Sequence, residues 1–398
     1  MANSFSIFLF VALLCVSAAR TKPQSIGNVD GGICKSLVET QGYPCQEHKV
    51  TTEDGYILGL QRIPAGKSAG NETATKLPVL LHHGILMDAS AWLLNSPDKA
   101  LAFILADNGF DVWLANSRGT VSSRGHKTLT PLYPAYWDWS WDQLAAYDLP
   151  ALFAYVNNQT GQKLHYVGHS LGTLTPLAAF SQGKLVNMLR SAALLAPIAY
   201  LGQMRSPFAR TAVDAFLAQV TQFNELFGFS CIPNRQVQQI LQYICARPGS
   251  GCSNYLTATT GPNCCLGSSS INLFLQHTPQ STSTKNAMHL FQMVTKGNIA
   301  MYDYVFPAIN IQHYNQPTPP VYNMENIPKD VPLFLSYGGR DPLSNVLDVK
   351  YLLDNLRDHD KDKLVAQYTA EYAHMDFLMA ESANQVVYAP LLDFFKLH

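Results

Sequence analysis

Ser170 sits in the run Gly168-His169-Ser170-Leu171-Gly172, and two residues of complementary chemistry follow it far along the chain: Asp341 in Gly338-Gly339-Arg340-Asp341 and His374 in Glu371-Tyr372-Ala373-His374. A serine hydroxyl is a poor nucleophile near neutral pH. It needs a base within hydrogen-bond reach, and the base needs a third group to fix its orientation. Serine as nucleophile, aspartate as orienting acid and histidine as base, in that chain order, would together perform acyl transfer through a covalent acyl-serine. A bare G-x-S-x-G recurs by chance. Its weight here comes from context, because Leu164 to Val167 reads as a strand and Leu171 to Phe180 as a helix. Glycines on either side of Ser170 would leave room for the tight strand-to-helix turn that pushes the hydroxyl into the open.

The rival acid, Asp348, falls inside a helical pattern, whereas Asp341 follows directly on the strand Val331 to Tyr337. His374 follows the strand Leu364 to Tyr368. His359 lies in a charged loop and His398 at the end of the sequence, so neither competes well. The tetrahedral intermediate of acyl transfer also requires donors for its oxyanion. The backbone N–H of Leu171 is one. The N–H of Ile85, in His82-His83-Gly84-Ile85 after a short strand, is the expected second. His82 and His83 are adjacent in an extended segment and point to opposite faces, so they read as structural and not as a metal pair. No metal site is expected, since no CxxC has a matching CxxC or HxxxH. No organic cofactor is needed either.

The elements that must position these groups alternate. His48 to Arg62 reads as an antiparallel hairpin around Glu53-Asp54-Gly55, at a sheet edge. Val79 to Leu81 and Val112 to Ala115 are short continuous apolar runs, as strands buried on both faces require, and Ala100 to Asp107 between them has helical spacing. A helix over Leu144 to Val156 precedes the Leu164 to Val167 strand, and Ala192 to Ala196 forms another strand. The pattern resumes with a helix over Ser344 to Leu356 and closes with a helix over Asn384 to Phe395. Strand and helix in alternation predict an α/β fold with a mostly parallel central sheet.

From about Leu201 to about Tyr322 the alternation stops, and helices, loops and a cysteine cluster replace it. One stripe there, Phe208, Ala212, Phe216, Val220, Phe223 and Phe227, suits both packing on the core and a lid that senses an interface. The expected organisation is a signal peptide over 1–19, a first core segment over 20–200, a helical cap or lid over 201–322, and a second core segment over 323–398. The apolar run Phe5 to Val16, followed by Ser17-Ala18-Ala19, is too short to span a membrane and reads as a secretory leader. Export would permit disulfides. Cys34 and Cys45 are the expected pair, while Cys231, Cys245, Cys252, Cys264 and Cys265 form a local cluster. Once Cys15 is removed with the leader, the odd total leaves at least one thiol free. Asn71 and Asn158 head glycosylation triplets. The net charge of -1 and the lack of a basic run disfavour nucleic acid, and no later stretch is apolar enough to span a membrane, so membrane contact would be peripheral.

With these residues placed, the chain resembles the acid lipase family, which includes gastric and lysosomal lipases, and is most similar to its plant secreted triacylglycerol lipases. The matching pieces are His83-Gly84-Ile85-Leu86, Asn116-Ser117-Arg118-Gly119, Trp139-Ser140-Trp141-Asp142, Tyr147-Asp148-Leu149-Pro150, Leu195-Ala196-Pro197, Gly338-Gly339-Arg340-Asp341 and His374-Met375-Asp376-Phe377. The Cys264-Cys265 pair resembles the plant branch. The resemblance implies an α/β-hydrolase core, a helical cap with a lid, and hydrolysis of triacylglycerols or steryl esters. It implies Ser170, Asp341 and His374 as the triad, with Ile85 and Leu171 as oxyanion donors. Many members carry Gln where this chain has Leu171; the donor is a backbone N–H, so the hole survives while substrate preference is open to change. Asp88 is a second local difference and is expected to alter the pocket entrance. The expected substrate is a lipid ester at an oil–water or membrane interface, and the expected location is extracellular (the apoplast) or else a vacuole or other acidic compartment. A smaller ester, transfer of the acyl group to an alcohol, and lipid binding without catalysis stand as alternatives.

Overall fold

The computed structural model describes residues 32–67, 76–204, 230–231, 256–257 and 259–398. The leader, Asn71, the aromatic stripe from Phe208 to Phe227, and Cys245 and Cys252 lie outside the described residues.

Strands β1 (Gln46–Thr51), β2 (Tyr56–Ile63), β3 (Pro78–His82), β4 (Asp111–Ala115), β5 (Gly125–His126), β6 (Leu164–His169), β7 (Leu189–Leu195), β8 (Ser230–Cys231), β9 (Thr282–Ser283), β10 (Leu333–Gly338) and β11 (Leu364–Thr369) follow in chain order. The main sheet runs β1-β2-β4-β3-β6-β7-β10-β11, with β5 added beside β2, and β8 and β9 pair separately. The β1–β2 hairpin is antiparallel and β2 pairs antiparallel with β4, while every pairing from β4 through to β11 is parallel. Between β7 and β10 lies the inserted segment, which contributes helices and the β8–β9 ribbon but no strand to the main sheet among the described residues.

Parallel strands covered on both faces must be apolar on both. Leu80 of β3 and Trp113 of β4 point into one hydrophobic cluster, with Trp141, Phe153, Tyr166 and Phe180. Their neighbours Val79, Leu81, Val112 and Leu114 point into the other, with Trp92, Phe103, Phe334 and Phe394. The continuous apolar runs of the sequence therefore record two cores, one on each side of a single sheet.

Two segments expected as single helices are divided. Leu144–Asp148 is a wide π-type turn that leads into the helix Leu149–Thr160, and Asn384–Tyr388 is another that leads into Ala389–Leu397. The cause is shared. Pro150 and Pro390 each occupy the second position of the following helix, where proline has no N–H to give to the preceding turn and its ring crowds that turn's carbonyl. Likewise β10 starts at Leu333 and not at Val331, after Pro332. His359 lies in the charged loop expected of it and is buried there, with its Nε2–H donated to the Val331 carbonyl at 2.9 Å. Asp88 takes a local structural part in the loop after β3. It is buried, caps the helical turn Ala89–Leu93, and accepts the N–H of Ser90 at 3.0 Å.

Two of the motifs behind the resemblance explain each other. Arg118 has a fully buried side chain; its Nε donates to Asp148 at 2.7 Å, its Nη1 and Nη2 to Asp54 at 2.6 and 3.0 Å, and its guanidinium stacks 3.8 Å from the Tyr56 ring centroid. Removing one member of such a network strands the opposite charge in a medium that cannot solvate it. Arg118→Leu is expected to cost about 3–5 kcal/mol, seen as a lower urea midpoint at unchanged slope, and Arg118→Leu/Asp148→Leu should recover part of that loss. A single variant within 1 kcal/mol of wild type would contradict the assignment. Asp142, from a third motif, ties the core to the inserted segment: its carboxylate accepts the Tyr302 N–H at 2.8 Å and the Tyr322 hydroxyl at 2.9 Å, and burial pushes its pKa up to about 6.

Among the described residues no helix is long and apolar enough to cross a membrane.

Candidate active site

Ser170 stands between β6 and the helix Leu171–Ser181, with φ 55° and ψ −120°. A non-glycine residue rarely adopts such a backbone, and here the surroundings leave no choice. A Cβ on Gly168 would lie 2.0 Å from the Gly172 carbonyl oxygen, and one on Gly172 would lie 2.3 Å from that of His82. Only glycine permits the strand and helix to cross this closely. The Ser170 N–H is donated to Leu195 of β7 at 3.1 Å, so the elbow is also pinned to the neighbouring strand. Leu171 is the first residue of the helix, where no preceding turn can accept its N–H.

Asp341 and His374 arrive from the carboxyl ends of β10 and β11. His374 Nδ1 and Asp341 Oδ2 are 2.8 Å apart, and both residues are buried. The other carboxylate oxygen accepts the N–H groups of Leu343 and Ser344 at 2.9 and 2.8 Å. With its oxygens fixed in this way, Asp341 faces the imidazole as an acceptor, which places the ring proton on Nδ1 and leaves Nε2 with a free lone pair. Asp348 is placed elsewhere. It lies in the helix Val346–Asn355, where its carboxylate accepts the N–H of Gln203.

His169 joins the Ser170 turn to the His374 loop. Its Nε2–H is donated to the His374 carbonyl at 2.9 Å, and the two rings lie 4.9 Å apart. Burial holds the His169 ring far below the usual histidine range, so it remains neutral.

The loop through Gly84 and Ile85 is braced from behind. His83 Nδ1–H is donated to the Gly84 carbonyl at 2.7 Å, and its Nε2 accepts the Ser117 N–H at 3.1 Å. A Cβ on Gly84 would come within 3.0 Å of the Ser170 Cβ, so the chain entering Ile85 passes directly over the serine. His82 faces the other way. The Tyr166 hydroxyl spends its proton on the Gly172 carbonyl at 2.6 Å and so accepts from His82 Nδ1 at 3.1 Å, which leaves Nε2 to accept from the Ser117 hydroxyl at 2.9 Å. Burial pushes the His82 pKa down to about 3 and lowers that of His83 as well. The two histidines thus act as neutral struts for opposite sides of the elbow.

The contacts of His83, His169 and Asp376 go beyond what their places in the sequence indicate. The signal for Asp376 was present: it lies two residues beyond His374 inside one of the quoted motifs. Cys34 and Cys45 are joined by a disulfide, and so are the neighbours Cys264 and Cys265. Asn158 is exposed near the end of its helix.

A doubly covered parallel sheet with a serine on a strained strand-to-helix turn, and a hydrogen-bonded Asp–His pair at the carboxyl ends of later strands, defines a hydrolase of the α/β class. Residues 78–377 match the family described as alpha/beta hydrolase fold, and residues 34–96 match a partial alpha/beta-hydrolase lipase region. The chain is 46% identical to triacylglycerol lipase 2 of Arabidopsis thaliana, over all of this chain and 96% of that protein. It is 37% identical to gastric triacylglycerol lipase of Bos taurus, over 88% of each. Among solved structures, the alpha/beta hydrolase GrgF of a Penicillium species superposes with a TM-score of 0.52 at 15% identity, over 89% of this chain and 99% of that one, a likeness of fold alone. The chain belongs to the acid lipase family of α/β hydrolases and is a carboxylic-ester hydrolase.

Proposed function

We propose that this enzyme is a triacylglycerol lipase in which Ser170 is the nucleophile, His374 the base, Asp341 the orienting acid, and the N–H groups of Ile85 and Leu171 the oxyanion donors. The 2.8 Å pairing of Asp341 with His374, in a loop that His169 ties to the serine's own turn, carries this reading. Ser170 Oγ attacks the ester carbonyl carbon while its proton passes to His374 Nε2. The tetrahedral oxyanion is held by the two N–H donors, and the imidazolium is stabilised by Asp341. Collapse releases the alcohol, which takes the proton from Nε2, and leaves acyl-Ser170. Water then attacks the acyl carbonyl, giving its proton to the same nitrogen, and the carboxylic acid departs with Ser170 restored.

The surroundings favour a lipid substrate. Leu86, next to Ile85, is 40% exposed, and Val121 is 46% exposed. Gln280 of the inserted segment joins them, donating its N–H to the Leu86 carbonyl at 2.7 Å and accepting the Val121 N–H on its side chain at 3.0 Å. An apolar rim beside the oxyanion loop suits acyl chains entering from an oil surface. The inserted segment, 201–322, serves as cap in this reading. The Cys34–Cys45 disulfide supports an exported protein in an oxidising compartment, with Asn158 available for glycosylation.

Fatty-acid release from an emulsified long-chain triacylglycerol, compared with turnover of a soluble short-chain ester, tests the substrate assignment. Faster turnover of the emulsion, with a rise in rate as the oil phase forms, is the expected result. Turnover confined to the soluble ester would make this a small-ester esterase.

A further inference from the structure

The loop that carries His374 is held largely by chain that does not belong to the sheet. Three successive backbone N–H groups are fixed there. Ala373 donates to Asp376 Oδ2 at 2.7 Å, His374 to the carbonyl of Thr260 at 3.0 Å, and Met375 to Asn263 Oδ1 at 3.0 Å. Thr260 and Asn263 both lie in the inserted segment, more than 100 residues from the base in sequence.

That segment is itself locked. The Asn263 amide donates to Thr260 Oγ1 at 2.9 Å and to the Gly261 carbonyl at 3.0 Å. The N–H of Cys264 is donated to the Asp376 carboxylate at 3.2 Å, which closes a ring of contacts around the base loop. Gly261 adopts φ +89°. A Cβ there would meet the Arg340 carbonyl oxygen at 2.5 Å, Pro342 Cδ at 2.6 Å and Ala373 Cβ at 3.1 Å. The segment therefore passes between the loop that bears the acid and the loop that bears the base, closely enough to admit only glycine.

We propose that Asn263, presented by the turn at Gly261, is a positioning residue for the catalytic base: the inserted segment sets where the His374 ring sits and so couples its own docking to the chemistry. The inference rests on the reading of His374 as base. The physical reason is the steep dependence of proton transfer on geometry, where a displacement of about 1 Å costs on the order of 100-fold in rate. Neither Asn263 nor Gly261 need touch substrate for this.

The test compares Asn263→Ala and Gly261→Ala with Asn286→Ala. Asn286 is a buried asparagine of the same inserted segment, and it bonds to Thr282 Oγ1 at 3.0 Å, away from the base loop. Rates are measured per site titrated to completion with an active-serine phosphonate, so that poorly folded protein does not count. Asn263→Ala and Gly261→Ala are expected to lower kcat roughly 10- to 100-fold, with KM little changed and by the same factor on the emulsion and on a soluble short ester. Asn286→Ala should keep its kcat even where its melting temperature falls. Wild-type kcat in Asn263→Ala, a loss confined to KM or to the emulsion, or an equal loss in Asn286→Ala would each overturn the proposal. Failure of the phosphonate to label Ser170 in the wild-type protein would instead remove the triad reading, and the positioning role with it.

Discussion

Ser170→Ala is expected to reduce kcat by about a millionfold while leaving the fold intact. The size of the loss follows from the role. Without Oγ there is no acyl-enzyme, and the remaining catalysis is what the oxyanion donors and substrate binding give to direct attack by water, about 10³- to 10⁴-fold over the uncatalysed reaction. The survival of the fold follows from the contacts. What holds residue 170 at φ 55° is its N–H bond to Leu195, the bond from the Thr173 N–H to its carbonyl, and the two glycines around it, and alanine keeps all of these. The melting temperature should stay close to that of wild type, and labelling by an active-serine phosphonate should disappear. His374→Ala is expected to cost a similar factor, and Ser170→Ala/His374→Ala little more than either alone, because groups that act as one unit do not add. A Ser170→Ala protein that retained a tenth of the wild-type rate, in a preparation free of contaminating hydrolase, would show that the nucleophile lies elsewhere.

The parts of this site that could be read from sequence are those that local sterics dictate. Gly168 and Gly172 are required because two backbone segments cross at the elbow, and that requirement is written within five residues. The parallel sheet was legible for a similar reason: a strand covered on both faces leaves a short unbroken apolar run, as in Val112 to Ala115, whatever the rest of the chain does. The order of Asp341 and His374 after their strands was readable once the strands were. Apolar spacing runs unbroken across Pro150 and Pro390, but the missing proline N–H divides each helix there. Asn263 and Gly261 left no local mark at all. Their contacts are with Met375, Ala373 and Arg340, and a hydrogen bond between segments over 70 residues apart imposes no periodicity on either one. His169 lies between these cases. It was recognised as part of the elbow, but its bond to the His374 carbonyl depends on where β11 delivers the base loop, which only the folded chain decides.

Asp341→Asn should lower kcat on the order of 10⁴-fold, although the substitution changes little in shape. The two N–H groups of Leu343 and Ser344 point at one oxygen of residue 341, and they will keep selecting an oxygen there. In the variant the amide oxygen takes that place, so the NH₂ group must face His374 Nδ1 across the 2.8 Å contact. An amide nitrogen donates and does not accept. The imidazole can keep a hydrogen bond only by presenting a bare Nδ1, which moves its proton to Nε2, the nitrogen that has to take the proton from Ser170. The base is then present, correctly placed, and in the wrong tautomer, and the imidazolium formed during attack has also lost its neighbouring negative charge. Acylation is therefore the step expected to suffer, so the rate of phosphonate labelling should fall together with kcat while the melting temperature shifts only slightly. Asp348→Asn is the matched control. Its carboxylate binds the Gln203 N–H and not the histidine, and kcat should stay within a few-fold of wild type. A large loss in Asp348→Asn with little in Asp341→Asn would reverse the assignment of the acid, and with it the reason for the Nδ1 proton on which the mechanism depends.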